Sequence, residues 1–198
     1  HSADPAAFEG IILLPGVMRS FLDDDIVKIV RDQFMDDPRM GRLCAPLAYR
    51  SEDWSGAILK DVAAKHPDRR VRGQATHALG MWWRYSTEIM LAGRNRTDSE
   101  KEQCLAEAKS CFARVLEDYA DVVSADGSYR LVDKAKAELE RIDNLPNLKV
   151  GKVAPEIVGE DLDGKPLKLS AHRGKVVVVC FWATWCGPCM AMVPHERE

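Results

Sequence analysis

Cys186 and Cys189 stand three residues apart, with Trp185 before them and Gly187 and Pro188 between them. Two thiols at this spacing can exchange a disulfide with another molecule. One attacks as the thiolate and forms a mixed disulfide; the other then displaces the substrate thiol and leaves the pair oxidised. The order of flanking residues assigns the roles. A β-branched and aromatic run precedes the motif and helix-compatible residues follow it, so Cys186 falls at the N-terminal end of a helix. Unpaired N–H groups and the positive end of the helix dipole favour a thiolate there. Cys186 is therefore the attacking cysteine, and Cys189, one helical turn on, is the resolving cysteine. Gly187 and Pro188 keep the turn compact, and Pro188 lies in the first turn, where its missing N–H costs no helix hydrogen bond.

The elements that must position this pair begin after Pro146. Residues 154–159 and 167–170 read as short strands around Asp161-Leu162-Asp163-Gly164, where Asp-Gly is a tight-turn dipeptide. Val176, Val177, Val178, Val179, Cys180, Phe181 and Trp182 then form a continuous apolar run, the pattern of a strand covered on both faces. Residues 1–145 have a different character, helix after helix with turn residues between. The 3.6-residue apolar period marks helices over 21–36, 54–65, 69–92 and, through Leu105, Ala108, Phe112 and Val115, from about 99 to 119, and a last one over 129–142. Asp68 is placed to cap the third of these, and Asp98 or Ser99 the fourth. The fold class is thus α+α/β: a helical domain over 1–145, then the first part of an α/β domain over 146–198. Ala78-Leu79-Gly80 on one helix and Ala108 with Phe112 on the next fit the small-against-large packing of tetratricopeptide hairpins. A plain bundle and a tetratricopeptide-like stack both remain open, and either would serve as a docking scaffold.

At the motif the sequence resembles the thioredoxin superfamily. More narrowly, Gly151-Lys152-Val153-Ala154-Pro155, the Asp163-Gly164-Lys165 turn, Gly174-Lys175 and the stretch from Phe181 through Cys189 look like TlpA-type redoxins, which overlap with the alkyl-hydroperoxide-reductase/thiol-specific-antioxidant group. The resemblance covers about 50 of the 198 residues. It implies Cys186 as attacking and Cys189 as resolving cysteine, Trp185 as a flat flank of the active site and Pro188 as a tuner of reduction potential. It also implies further strands, another helix and a cis-proline loop opposite the cysteines. Met190 departs from the pattern, since a basic residue often follows the second cysteine in related proteins. A helical domain joined to such a redoxin also resembles redox proteins of planctomycete-like bacteria.

The 198 residues are 46% apolar and 30% charged, enough for one sizeable core and a small second one, which excludes wholesale disorder. With 28 basic and 31 acidic residues the net charge is −3, and no footprint for nucleic acid or an anionic membrane surface is present. The apolar run at 11–14 is shorter than a signal-peptide core. The uncharged stretch from Val176 to Pro194 is interrupted by Gly187, Pro188 and Pro194, so no membrane span is read. The first residue is His1, and the last residues fall in a helix just begun; both ends read as those of a fragment, and residues 150–198 are expected to pack poorly or to lean on the helical domain.

Competing readings attach to single residues. A Cys-x-x-Cys pair could be half of a zinc site, but no second pair or His pair stands at ligand spacing. A thiol peroxidase would use a lone cysteine in another setting. Cys44, Cys104, Cys111 and Cys180 read as small core residues, Trp82 and Trp83 as packing residues, and His195 as a solvated helix residue. Asn95-Arg96-Thr97 fits a glycosylation sequon that such short motifs reach by chance. The expected activity is thiol-disulfide exchange with dithiol or disulfide proteins, without organic cofactor or metal. The resemblance places it in a bacterial cell envelope, periplasm or exported compartment, with the cytoplasm as the alternative. The rival reading is an interaction module whose redoxin portion is non-catalytic.

Overall fold

The computed structural model describes residues 6, 8–12, 24–87 and 96–196, the side chains of 24 and 194–196 excepted. Expectations for Phe21, Leu22, Ile89, Met90, Gly93 and Asn95 lie outside the described residues. The chain divides into two compact units, His1–Pro146 and Asn147–Glu198.

In the first unit α1, Asp24–Ile29, runs directly into a π-turn, Val30–Phe34. Val27, Val30 and Phe34 recur at helical spacing and are buried, and Phe34 stacks on Phe8 with ring centroids 4.4 Å apart. α2, Met40–Ala48, lies where the sequence reads as a turn region. Met40, Leu43, Cys44 and Leu47 carry its buried face, but Gly41 and Pro46 hide the pattern. Pro46 is tolerated inside this short helix at the loss of one backbone bond. α3, Asp53–Lys65, and α4, Arg69–Tyr85, follow. His66 fixes the corner between them. The Asp68 N–H donates to His66 Nδ1 at 3.0 Å, which puts the ring proton on Nε2, 3.1 Å from the Asp37 carbonyl oxygen. Asp68 also caps α4, accepting from the Arg70 N–H at 2.7 Å.

The α4 helix is described to Tyr85 rather than to the expected Gly93, and Ser86 and Thr87 turn their hydroxyls back onto the Trp82 and Arg84 carbonyls. α5, Asp98–Asp118, is capped one residue earlier than Asp98 or Ser99. Thr97 and Glu100 form a reciprocal capping box, which satisfies two orphan donors at once and so outcompetes the neighbouring caps. α6, Leu131–Asn144, closes the unit. Its Glu138 lies 2.8 Å from Arg84 Nε on α4 in a largely buried ion pair.

Close approach of these helices depends on glycines. A Cβ on Gly80 of α4 would come within 2.8 Å of the Phe112 ring on α5, and one on Gly56 of α3 within 2.8 Å of the Trp82 indole. Ala108 and Phe112 are fully buried there, so the Ala78-Leu79-Gly80 segment does pack small residues against a large one. Trp82 is buried and Trp83 half-buried, meeting edge to face at 4.8 Å. His77 on α4 is 8% exposed, between the rings of Phe112 and Tyr129, and its Nε2 has no hydrogen-bond partner. Burial, and then the charge of Lys134, pushes its pKa from 6.5 down to about 4.

The second unit holds one hairpin. β1, Val158–Glu160, pairs antiparallel with β2, Pro166–Lys168, in the register Val158 to Lys168, Gly159 to Leu167 and Glu160 to Pro166. Both strands are shorter than the expected spans. Residues 169–170 belong instead to a 3₁₀ turn, Leu169–His172. The turn forms at the expected Asp161–Gly164 site. Asp161 Oδ1 accepts from the N–H groups of Asp163 and Lys165, each at 2.9 Å, and Gly164 takes the left-handed conformation at φ 76°.

The strand expected over 176–182 is not formed. Val176 is 98% and Val178 83% exposed, against 43% and 45% for Val177 and Val179. This alternation is that of extended chain with one side partly covered, by the neighbourhood of Val153 and Pro155. A strand exists through ladder hydrogen bonds, and among the described residues none reaches this run. The expectation of loose packing over 150–198 agrees with the exposure of its apolar side chains. Cys180, expected in a core, is exposed for the same reason.

Two outcomes follow for the helical unit. Phe112→Ala removes the ring that Gly80 accommodates and lowers stability by about 3–5 kcal/mol, read from urea unfolding followed by far-ultraviolet circular dichroism. Because the folded-state pKa of His77 lies below its ordinary value, stability is complete above pH 6.5 and falls as the pH drops towards about 4. The loss is ~3 kcal/mol at most. Urea midpoints across that window should show it, and His77→Phe should flatten the slope between those limits.

Candidate redox site

The segment that carries the cysteines is set by two local devices. Gly174 turns the chain at φ 83° before Lys175, and an Ala183-to-Cys186 turn, closed by the Cys186 N–H on the Ala183 carbonyl at 3.0 Å, ends the extended run. α7, Gly187–Glu196, starts immediately afterwards. Cys186 therefore occupies the cap position of this helix, and its carbonyl receives the Met190 N–H at 3.0 Å, the first bond of the helical ladder.

Cys186 and Cys189 are joined in a disulfide, their Cα atoms 5.2 Å apart. The Cys189 N–H points at Cys186 Sγ, 3.3 Å away. A sulfur at a helix N-terminus with an N–H directed at it occupies the position where negative charge is favoured by about 0.3–1 kcal/mol at an exposed site. The backbone supplies this, since Met190 stands where a cation would add to it. Pro188 is the second residue of the helix, and the hydrogen bond it cannot donate has no acceptor within that turn.

The surroundings are open. Trp185, the residue singled out as a flank, is 88% exposed, Gly187 and Pro188 are exposed, and both cysteines are half-buried. Trp182 and Phe181 also present their rings to solvent. His195 lies on α7, and its side chain is outside the described residues. Among the described residues no group of three or more His, Cys, Asp or Glu is arranged to hold a metal ion. Of the other cysteines, Cys44 and Cys104 are buried and Cys111 half-buried. Burial drives the Cys44 thiol up to about 12 and Cys111 to about 11, so neither is a nucleophile at neutral pH.

The Cys189 N–H contact to Cys186 Sγ is a feature of the Cys-Gly-Pro-Cys turn that only coordinates reveal. The sequence signal also missed a polar and aromatic cluster in the helical unit around Tyr49, His77, Tyr129 and Lys134, residues that no spacing rule connects.

Residues 149–198 match the family model described as Redoxin. The same region is similar to the thiol-disulfide oxidoreductase ResA of several bacteria. It is 43% identical over 51 residues to that of Bacillus thuringiensis subsp. konkukian, covering 26% of this chain and 30% of the relative. It is 47% identical over 49 residues to that of Geobacillus kaustophilus, covering 25% and 28%. The Oceanobacillus iheyensis protein is 39% identical over 54 residues, covering 25% and 28%. No solved structure matches the chain. The chain thus spans under a third of the length of the curated relatives it matches, and the similarity to redoxins and to thiol-disulfide oxidoreductases rests on its last 50 residues.

Proposed function

We propose that the protein is a thiol-disulfide oxidoreductase that exchanges disulfides with protein substrates through Cys186 and Cys189. The observation that carries this reading is the Cys186–Cys189 disulfide at the start of α7, with the Cys189 N–H directed at Cys186 Sγ. In the reducing direction the Cys186 thiolate attacks a substrate disulfide, and one substrate sulfur leaves as thiolate and takes up a proton. The Cys189 thiol then loses its proton and attacks Cys186 Sγ, releasing the second substrate sulfur. Two electrons pass to the substrate and the pair ends oxidised. The reverse sequence oxidises a substrate dithiol. No organic cofactor or metal enters either direction.

In this reading residues 146–198 belong to a thioredoxin-like redoxin domain of the TlpA type, in which Trp185 flanks the sulfur and Gly187 and Pro188 shape the turn. Residues 1–145 form a helical docking or assembly domain, either a plain bundle or a stack in which α4 and α5 make a tetratricopeptide-like pair. Support for that pairing is the Gly80 to Phe112 contact. The resemblance to envelope redoxins favours an exported or cell-envelope location; among the described residues no helix is long and apolar enough to cross a membrane. The alternative, an interaction module with a non-catalytic redoxin portion, draws on the exposure of the 176–182 run, which has no ladder partner among the described residues.

Redox titration of the purified chain against graded glutathione ratios, read by thiol alkylation and mass spectrometry, separates the two. The oxidoreductase reading expects one two-electron midpoint displaced from that of an unfolded peptide with the same motif. A midpoint equal to the peptide's would leave only the interaction module. After reduction, iodoacetamide at neutral pH should label Cys186 well ahead of Cys189. Cys186→Ser should abolish exchange, whereas Cys189→Ser should accumulate a mixed disulfide with a model substrate.

A further inference from the structure

A cavity of about 670 Å³ opens within the helical unit, between α2, α4, the loop before α6 and the first turns of α6. Disulfide exchange makes no use of it. Tyr49, Tyr85 and Tyr129 form its aromatic walls, with Met81 and Ala78 between them and His77 among the lining residues. The Tyr49 and Tyr85 rings lie 4.8 Å apart, and burial followed by the hydrogen bond to Tyr85 pushes the Tyr49 phenol up to about 12, so the wall stays uncharged. A cavity of this size, mostly apolar with a few polar groups, has the form of a small-molecule site.

Charge decides what such a site accepts. Four charged side chains line the cavity: Arg42, Asp126, Lys134 and Glu138. Three are already engaged. Arg42 donates to both carboxylate oxygens of Glu9, at 3.0 and 2.8 Å. Asp126 accepts from the Ser128 N–H at 3.1 Å and from the Ser124 and Ser128 hydroxyls. Glu138 is paired with Arg84. Lys134 has no carboxylate partner among the described residues; its ammonium sits 5.6 Å from the centre of the Tyr129 ring.

A cationic guest would find little to bind. The carboxylates have partners, and the faces of Tyr85 and Tyr129 already carry Arg84, at 4.0 Å, and Lys134. An anionic guest would meet an ammonium without a counter-ion. Beside it stands the imidazole of His77, more than nine-tenths buried, with Nε2 lacking any partner. A buried polar group in that condition marks an unfilled hydrogen-bonding position.

We propose that this cavity binds a small organic acid, with its carboxylate on the Lys134 ammonium and an apolar, ring-sized body among Tyr49, Tyr85 and Tyr129. His77 supplies a neutral polar contact in the lining. The site is lined wholly by residues of the helical unit.

The test uses the full chain, labelled with ¹⁵N, titrated by NMR with 3-phenylpropionate and with its neutral analogue 3-phenylpropionamide. The acid should shift amides around Ala78, Tyr129 and Lys134, and the amide analogue should bind about tenfold more weakly or worse. Lys134 is exposed on α6, so Lys134→Met keeps the fold, which circular dichroism verifies. That variant should lower the affinity for the acid to that of the amide, and Lys134→Arg should restore binding to within about threefold of the parent. Equal affinity for acid and amide, absence of shifts at millimolar probe, or full binding by Lys134→Met would each overturn the proposal.

Discussion

A helix satisfies its backbone hydrogen bonds within one segment, whereas a strand satisfies its own only through a neighbour. The two units of this chain differ on that single constraint. In the helical unit every long element closes its own ladder, and side chains need only bury apolar faces against one another. In the redox unit the apolar run before the cysteines has the composition of a central strand but no ladder partner among the described residues, and it stays extended with its valines alternately open and half-covered. The short hairpin forms because both of its strands and its Asp161–Gly164 turn lie within a few residues of each other.

Within the helical unit, packing converges on α4. One of its faces meets α2 and α3, another meets α5 and α6, and small residues make both approaches possible. Gly80 lets the Phe112 ring reach the helix, while Trp82, on the same helix, lies over Gly56 of α3. Cavity lining and core packing therefore share the same element: His77, Ala78 and Met81 line the open space, while Val71 and Ala75 lie in the core. Filling Gly80 would push the α5 ring aside and disturb both.

What the sequence revealed and what it hid divide along the same line. Helices with an uninterrupted 3.6-residue period, such as α3 and α4, were legible to within a residue or two at their starts, and so was the Asp-Gly turn, because local chemistry determines each of them. The α2 helix was hidden because Gly41 and Pro46 are breakers in isolation, and only packing of Met40, Leu43 and Leu47 into the core overrides them. The cap at Thr97 was displaced by one residue because three consecutive residues are all good caps, and Glu100 decides among them. The valine run was read as a buried strand from composition alone, which reports what a segment does when partners are supplied and not whether they are. At the Cys-x-x-Cys motif the start of a helix at the first cysteine was legible, since the turn residues are local. The aromatic cavity was invisible because it joins side chains from α2, α4, α6 and a loop.

The openness of the redox turn bears on how it can work. In many active sites, exclusion of water strengthens the electrostatics that stabilise charge. Here Trp185 and the Gly-Pro turn are exposed, and among the described residues the polar support for the Cys186 sulfur comes from the backbone of the helix that follows it. That support persists for as long as α7 keeps its first turn. It is also short-ranged, falling off within that turn, so it acts on Cys186 and scarcely on a sulfur one turn further along. Cys186 precedes the helix and Cys189 lies within it, so the two sulfurs differ in what the helix N-terminus offers them.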